Sequence, residues 1–134
     1  MWVKWLVSIG SLSTILFGVW HFFVPALWHW YQYIDEQATE LVIAVRAINI
    51  FFSLSLVLFG LLNFLIVVSG RANRFAVLVV LALTCLLWLC RVAMQVLAPQ
   101  GSMAPSLQYG MLAAFTLIFS CYLVSFVIVF LSKV

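Results

Sequence analysis

Apolar residues run along this chain in four long blocks, and the polar positions inside the blocks recur at helical rather than alternating spacing. The blocks extend from about Lys4 to Leu27, Thr39 to Val68, Asn73 to Ala98 and Leu107 to Leu131. Each meets the roughly 20 mostly apolar residues that carry a helix across a bilayer. The second is longer than the hydrocarbon layer requires, which predicts tilt or protrusion. The period-two alternation of a membrane barrel is absent. Ser69 to Arg74 form a short polar turn, in which Gly70 suits a left-handed helix stop. Ala98-Pro99-Gln100-Gly101-Ser102 and Pro105-Ser106 form a second loop, where the prolines end the helical pattern. Trp28-His29-Trp30-Tyr31-Gln32-Tyr33 make the remaining break, and rings of this kind favour the headgroup level, which predicts an interfacial segment. The expected architecture is all-α: one integral membrane domain over residues 1–134, built as a bundle of four transmembrane helices.

Composition removes the soluble alternatives. Of 134 residues, 68% are hydrophobic and 7% charged, with a mean hydropathy of +1.30, whereas soluble domains are about half apolar and a quarter charged. The first block has no small-x-small cleavage site before Trp28 and is too long for a signal-peptide core, so it reads as a retained span. Lys4, Arg71, Arg74 and Lys133 fall on one side of a four-span layout; Asp35, Glu36 and Glu40 fall on the other, with no basic residue. Short basic loops stay in the cytoplasm, so both termini are expected there, with the chain in a bacterial inner membrane. The net charge of +3 reflects this asymmetry, and the partner it implies is the lipid bilayer rather than nucleic acid. Four dispersed cations do not make a phosphoinositide patch.

Counting from the block ends brings three polar residues to one depth. Arg46 lies seven residues inside the second block, about 10 Å deep at ~1.5 Å per residue. Arg91 lies seven residues before Ala98, and His21 six before Leu27. Thr39, Val42, Arg46, Asn49, Ser53, Leu56, Gly60 and Asn63 recur at three and four and share one face. Thr84, Trp88, Arg91 and Gln95 share a face of the third helix, and Gly10, Thr14, Phe17, His21 and Pro25 one of the first. Polar faces in so apolar a chain turn into the bundle. Gln108 and Tyr109 stand at the outer end of the fourth helix, followed by Gly110, Ala113 and Ala114 for close packing. The tight turn at Ser69–Arg74 joins antiparallel neighbours, so Arg46 and Arg91 are expected side by side.

An arginine at a helix centre costs roughly 2.5–3.5 kcal/mol on insertion scales, so each needs a carboxylate, carbonyls, water or a bound anion beside it. Glu40 is the best placed of the three carboxylates. Two readings follow. In one, the arginines pair with Glu40 and helix-end carbonyls and fix packing. In the other, His21, Arg46, Asn49, Arg91 and Gln95 build an outward-opening pocket with Glu40 and Gln108 at its rim, because guanidinium forks suit carboxylate and phosphate. Its candidate ligands are a quinone-like carbonyl compound, a lipid headgroup or a small organic anion. Haem, which usually takes two axial side chains, is disfavoured. Cys85, Cys90 and Cys121 form no C-x-x-C and read as small buried hydrophobes.

The stretch Phe17-Gly18-Val19-Trp20-His21-Phe22-Phe23-Val24-Pro25 resembles the G-x-x-H-F-x-x-P signature in the first helix of DoxX-like small membrane proteins, through Gly18, His21, Phe22 and Pro25. That group comprises four-helix proteins of about this size, some linked to quinone-dependent sulfur oxidation. The resemblance therefore implies the same fold and a quinone among the candidate ligands. The second helix differs, with Arg46 and Asn49 where many relatives show a glycine and a glutamate. The R-A-x-x-N of four-helix glutathione-handling membrane enzymes is not reproduced, since Arg46-Ala47-Ile48-Asn49 has one residue too few. The expected function is a non-catalytic, accessory ligand-binding membrane protein. The alternatives are a small transporter, and a membrane subunit of a quinone-linked oxidoreductase with a cofactor-bearing protein partner; a homo-oligomer is compatible with each.

Overall fold

The computed structural model describes residues 1–35, 37–102 and 104–132, so Glu36 and Lys133, both used in the charge argument, lie outside the described residues. The helices are α1 (Trp2–His21), α2 (Val24–Leu27), a 3-10 turn (Trp30–Tyr33), α3 (Thr39–Asn63) continued by a π-helical turn (Phe64–Val68), α4 (Arg74–Leu97) and α5 (Pro105–Leu131). Four of them, α1, α3 with its continuation, α4 and α5, are long and apolar enough to cross a membrane. Thr39–Val68 runs for 30 residues, about 45 Å of helix against a hydrocarbon layer of about 30 Å. Leucine, isoleucine, valine and phenylalanine side chains cover the outside of the bundle, as a lipid-facing surface requires.

The element boundaries have local causes. The first span is shorter than the apolar block, because α1 stops at His21. Pro25 has no N–H to give the His21 carbonyl, so the Phe23 N–H bonds Trp20 O at 3.0 Å and the chain restarts as α2 with Pro25 in its first turn. Gly70 ends the second span at φ +70°, the left-handed conformation a glycine adopts without cost. Asn73 caps α4 by accepting the Ala76 N–H at 2.8 Å.

α1 packs along both α3 and α5, and α5 packs along α4; α3 and α4 share only a narrow contact despite their short connection. Glycine makes the α1–α3 approach close, and each helix lends one to the other. A Cβ on Gly18 would stand 2.9 Å from Ser53 O and Leu56 Cβ, and one on Gly60 would stand 2.9 Å from Ser11 O and 2.6 Å from Ile15 Cγ1. Gly10 lies against the Tyr122 ring in the same way. The expected small-residue contact on α5 is not formed: Gly110, Ala113 and Ala114 are exposed, with nothing within 4 Å of a Cβ on Gly110. α5 turns Phe115, Ile118, Cys121, Tyr122 and Ser125 inward instead. The large rings fill the space between α1 and α4, which small side chains would leave void.

Polar contacts between helices follow a common rule. Thr14 gives its hydroxyl proton to Gly10 O and Thr84 gives its own to Val80 O, both at 2.7 Å. The Thr84 oxygen then accepts from another helix, and Thr14 stands beside a hydroxyl of one. Asn63 Nδ2 donates to Thr84 Oγ1 at 2.7 Å, and the Tyr122 hydroxyl sits 3.3 Å from Thr14 Oγ1 and 3.4 Å from Ser11 Oγ. At the turn end of the bundle Lys4 lies beside Gly70. Arg74 donates there to the carbonyls of Val129 and Phe130 at 3.3 and 2.8 Å, a cation on the negative end of α5.

Candidate functional site

At the opposite end of the bundle a cavity of about 500 Å³ lies among α1, α4, α5 and the two long connections. α1 supplies Phe17, Trp20 and His21 at its last turn; the 24–33 segment supplies Val24, Trp28, Trp30 and Tyr33. α4 supplies Arg91, the following loop Gln100, Gly101, Ser102 and Ala104, and α5 Leu107 and Met111. Of the rings expected to form an interfacial belt, Trp28, Trp30 and Tyr33 form a wall of the cavity. His29 makes this geometry: its φ of 51° and ψ of 40° are left-handed, and the chain turns there into the Trp30–Tyr33 helix. Trp30 then packs edge-on to His21 at 6.4 Å between centroids.

Among the described residues Arg91 is the one arginine or lysine lining the cavity. Its guanidinium lies 4.2 Å from the Phe115 centroid, a cation–π distance. Nη2 donates to Gln100 Oε1 at 2.7 Å and Nη1 to Gln95 Oε1 at 3.4 Å. Of the five N–H donors of a guanidinium, three have no acceptor among the described residues. Gln95, buried behind it, donates through Nε2 to the carbonyls of Gln100 at 2.9 Å and Gln108 at 3.4 Å, which holds the loop over the end of α4. Gln108 takes part through its backbone, and its side chain is half-buried.

His21 ends α1 with its ring at 4.7 Å from Phe52 and 5.8 Å from Phe17, both measured between centroids. Nδ1 lies 3.2 Å from Ser53 Oγ, and Ser53 gives its proton to Asn49 O at 2.7 Å. Asn49 is buried, and its Oδ1 has no hydrogen-bond partner among the described residues. It does not line the cavity.

Arg46 and Glu40 stand elsewhere. Arg46 is exposed, with its guanidinium 5.3 Å from the Tyr31 centroid, and it does not line the cavity. The expected side-by-side arginines are replaced by two separate cation–aromatic contacts. The cause is that α3 and α4 share only a narrow contact, α3 packing mainly on α1 and α4 on α5. Glu40 is exposed in the first turn of α3 and makes no ion pair among the described residues. Gln100, Trp20, Trp30 and Tyr31 belong to the site and its surroundings without having been expected as site residues. The signal for Gln100 was its amide, the first polar side chain after a helix that carries Arg91 and Gln95.

Cys85 and Cys121 are buried and Cys90 is exposed, all as free thiols. Among the described residues no three His, Cys, Asp or Glu side chains gather to hold a metal ion. The fold and the cavity define a four-helix membrane bundle with an aromatic-walled site headed by an arginine. Comparison with models of known protein families, with curated proteins and with solved structures gives no match.

Proposed function

We propose that this protein binds an apolar compound bearing an anionic or carbonyl oxygen, held at Arg91 in the aromatic-walled cavity, in a non-catalytic accessory role. The observation that carries this reading is Arg91 itself: a cavity-lining guanidinium with amide oxygens for partners, no carboxylate partner among the described residues, and donors to spare. A cation in such surroundings attracts an acceptor strongly, because the low dielectric leaves it little screened. Trp20, Trp28, Trp30 and Tyr33 supply apolar walls. The volume of about 500 Å³ suits a small ring-bearing molecule or part of a lipid.

The grouping of Lys4, Gly70 and Arg74 at one end supports a cytoplasmic side there, with both termini inside and the cavity in the outer leaflet of a bacterial inner membrane. The DoxX-like motif supports kinship at the level of the first helix, because its residues hold distinct positions. Gly18 makes the α1–α3 contact, His21 ends α1 and lines the cavity, and Pro25 forces the break that follows.

Tryptophan fluorescence tests the reading directly, since three indoles line the cavity. In lipid nanodiscs, titration with a short-chain benzoquinone and with an aromatic carboxylate should give saturable quenching by at least one of them. Arg91→Leu should abolish it and Arg46→Leu leave it. Quenching that never saturates, or that survives Arg91→Leu, contradicts the proposal.

A further inference from the structure

Hydrogen accounting around His21 says more about the ligand than the cavity walls do. Ser53 carries one hydroxyl proton, and at 2.7 Å that proton is committed to Asn49 O. Ser53 Oγ is therefore an acceptor toward His21, and the contact at 3.2 Å requires His21 Nδ1 to carry the hydrogen. The same rule governs Thr84, which gives its proton to Val80 O and accepts from Asn63. Asn49 Oδ1, on the turn before Ser53, is a buried acceptor with no hydrogen-bond partner among the described residues. In the neutral imidazole a hydrogen on Nδ1 leaves a lone pair on Nε2. His21 lines the cavity, and with Nδ1 turned to α3 the nitrogen left for a ligand is an acceptor.

The cavity then presents two unlike polar groups. Arg91 offers hydrogen-bond donors; His21 offers a lone pair. The Phe17 and Phe115 rings, 5.0 Å apart between centroids, stand between them, with Phe17 against His21 and Phe115 under Arg91. We propose that the site selects a ring-bearing compound with a hydroxyl group opposite a carboxylate or carbonyl oxygen, the hydroxyl donating to His21 Nε2 and the oxygen accepting from Arg91. This rests on the ligand-binding reading above and narrows it: a compound with acceptors alone satisfies Arg91 and leaves the His21 lone pair unmatched. A glycerol phospholipid headgroup shares the hydroxyl-plus-anion chemistry, whereas the aromatic walls favour a free phenolic acid or hydroxy-carbonyl compound.

Two measurements at about pH 8, above the ordinary imidazole range, test the proposal. The first is nitrogen-15 NMR of histidine-labelled protein in phosphatidylcholine nanodiscs. His21 should show a protonated Nδ1 and an unprotonated Nε2; a proton on Nε2 overturns the proposal without touching the arginine site. His21→Phe identifies its signals against those of His29. The second compares binding of 3- and 4-hydroxybenzoate with benzoate and 4-methoxybenzoate. At least one hydroxylated acid should bind roughly tenfold tighter than the other two, the effect of one net hydrogen bond. The preference should shrink in Ser53→Ala, which keeps the backbone carbonyl that Gly18 packs on but removes the acceptor that fixes the tautomer. Equal binding of all four acids overturns the hydroxyl selectivity and leaves Arg91 as an anion site. No binding of any acid overturns the hydroxyl proposal, and the ligand reading falls with it if the short-chain benzoquinone also fails to bind. Phosphatidylglycerol in the disc distinguishes the sources: it should leave hydroxybenzoate affinity unchanged for a small-molecule site and weaken it several-fold if a headgroup is the native occupant.

Discussion

The guanidinium of Arg91 rests 4.2 Å from the centroid of Phe115, on the helix that α4 packs against most closely. Arg46 makes the corresponding contact with Tyr31 at 5.3 Å, outside the cavity. Two arginines in one small membrane protein therefore meet π-faces rather than a shared carboxylate. Their circumstances differ. Arg46 is exposed beside the ring-rich connection, against Tyr31. Arg91 is half-buried and faces a cavity.

The reciprocal glycines of α1 and α3 set a sharp contrast with Gly110. Gly60→Ala places a methyl 2.6 Å from Ile15 Cγ1 and 2.9 Å from Ser11 O, and the backbone carbonyl cannot step aside. The variant should lose about 1–3 kcal/mol, the range for overpacking a close contact. Gly110→Ala meets nothing within 4 Å and should be neutral or slightly stabilising through helix propensity. Reversible unfolding in mixed micelles measures both. Equal losses would show that α1 and α3 do not approach at Gly60.

Asn63 and Thr84 form the polar tie across the narrow α3–α4 contact, at 2.7 Å. Neither partner is stranded by loss of the other, because Thr84 still bonds Val80 O and Asn63 Nδ2 still bonds Phe59 O at 2.9 Å. A double-mutant cycle with Asn63→Leu and Thr84→Val should thus give a coupling of about 0.6 kcal/mol, the average for interhelical bonds in lipid, and no more than about 1.7. A coupling indistinguishable from zero would remove this tie from the account of the bundle.

Topology has its own test. Reporter fusions at Ser69 and at the C terminus should behave as cytoplasmic, and a fusion after Gly101 as exported. The opposite pattern would move the cavity to the inner leaflet while leaving its chemistry intact.

Much of this architecture was legible in the chain because α3 carries polar and small residues at helical spacing in an otherwise apolar run. Asn49, Ser53, Leu56, Gly60 and Asn63 are all buried on the face that spacing predicted. Thr84, Trp88 and Gln95 likewise face inward from α4, with Arg91 half-buried on the same face. Gly70 adopts its left-handed turn. The helix neighbours were not legible. A short connection brings two helix ends together but does not keep their far halves adjacent, so equal depth did not make Arg46 and Arg91 partners. Nor was the rotation of α5, which is apolar nearly all round and offers no stripe to orient it. Tyr31 and Gln100 entered through tertiary placement of connections, where periodicity carries no information.

In the function proposed above Arg91, and not Arg46, holds a ligand in the cavity. Native mass spectrometry of the protein released gently from its own membrane measures this most directly, on the unmodified chain, Arg46→Leu and Arg91→Leu. A bound anionic or carbonyl-bearing compound is expected on the unmodified protein and on Arg46→Leu, with its loss from folded Arg91→Leu. The same compound retained by Arg91→Leu, or no bound compound on any of the three, would contradict that function.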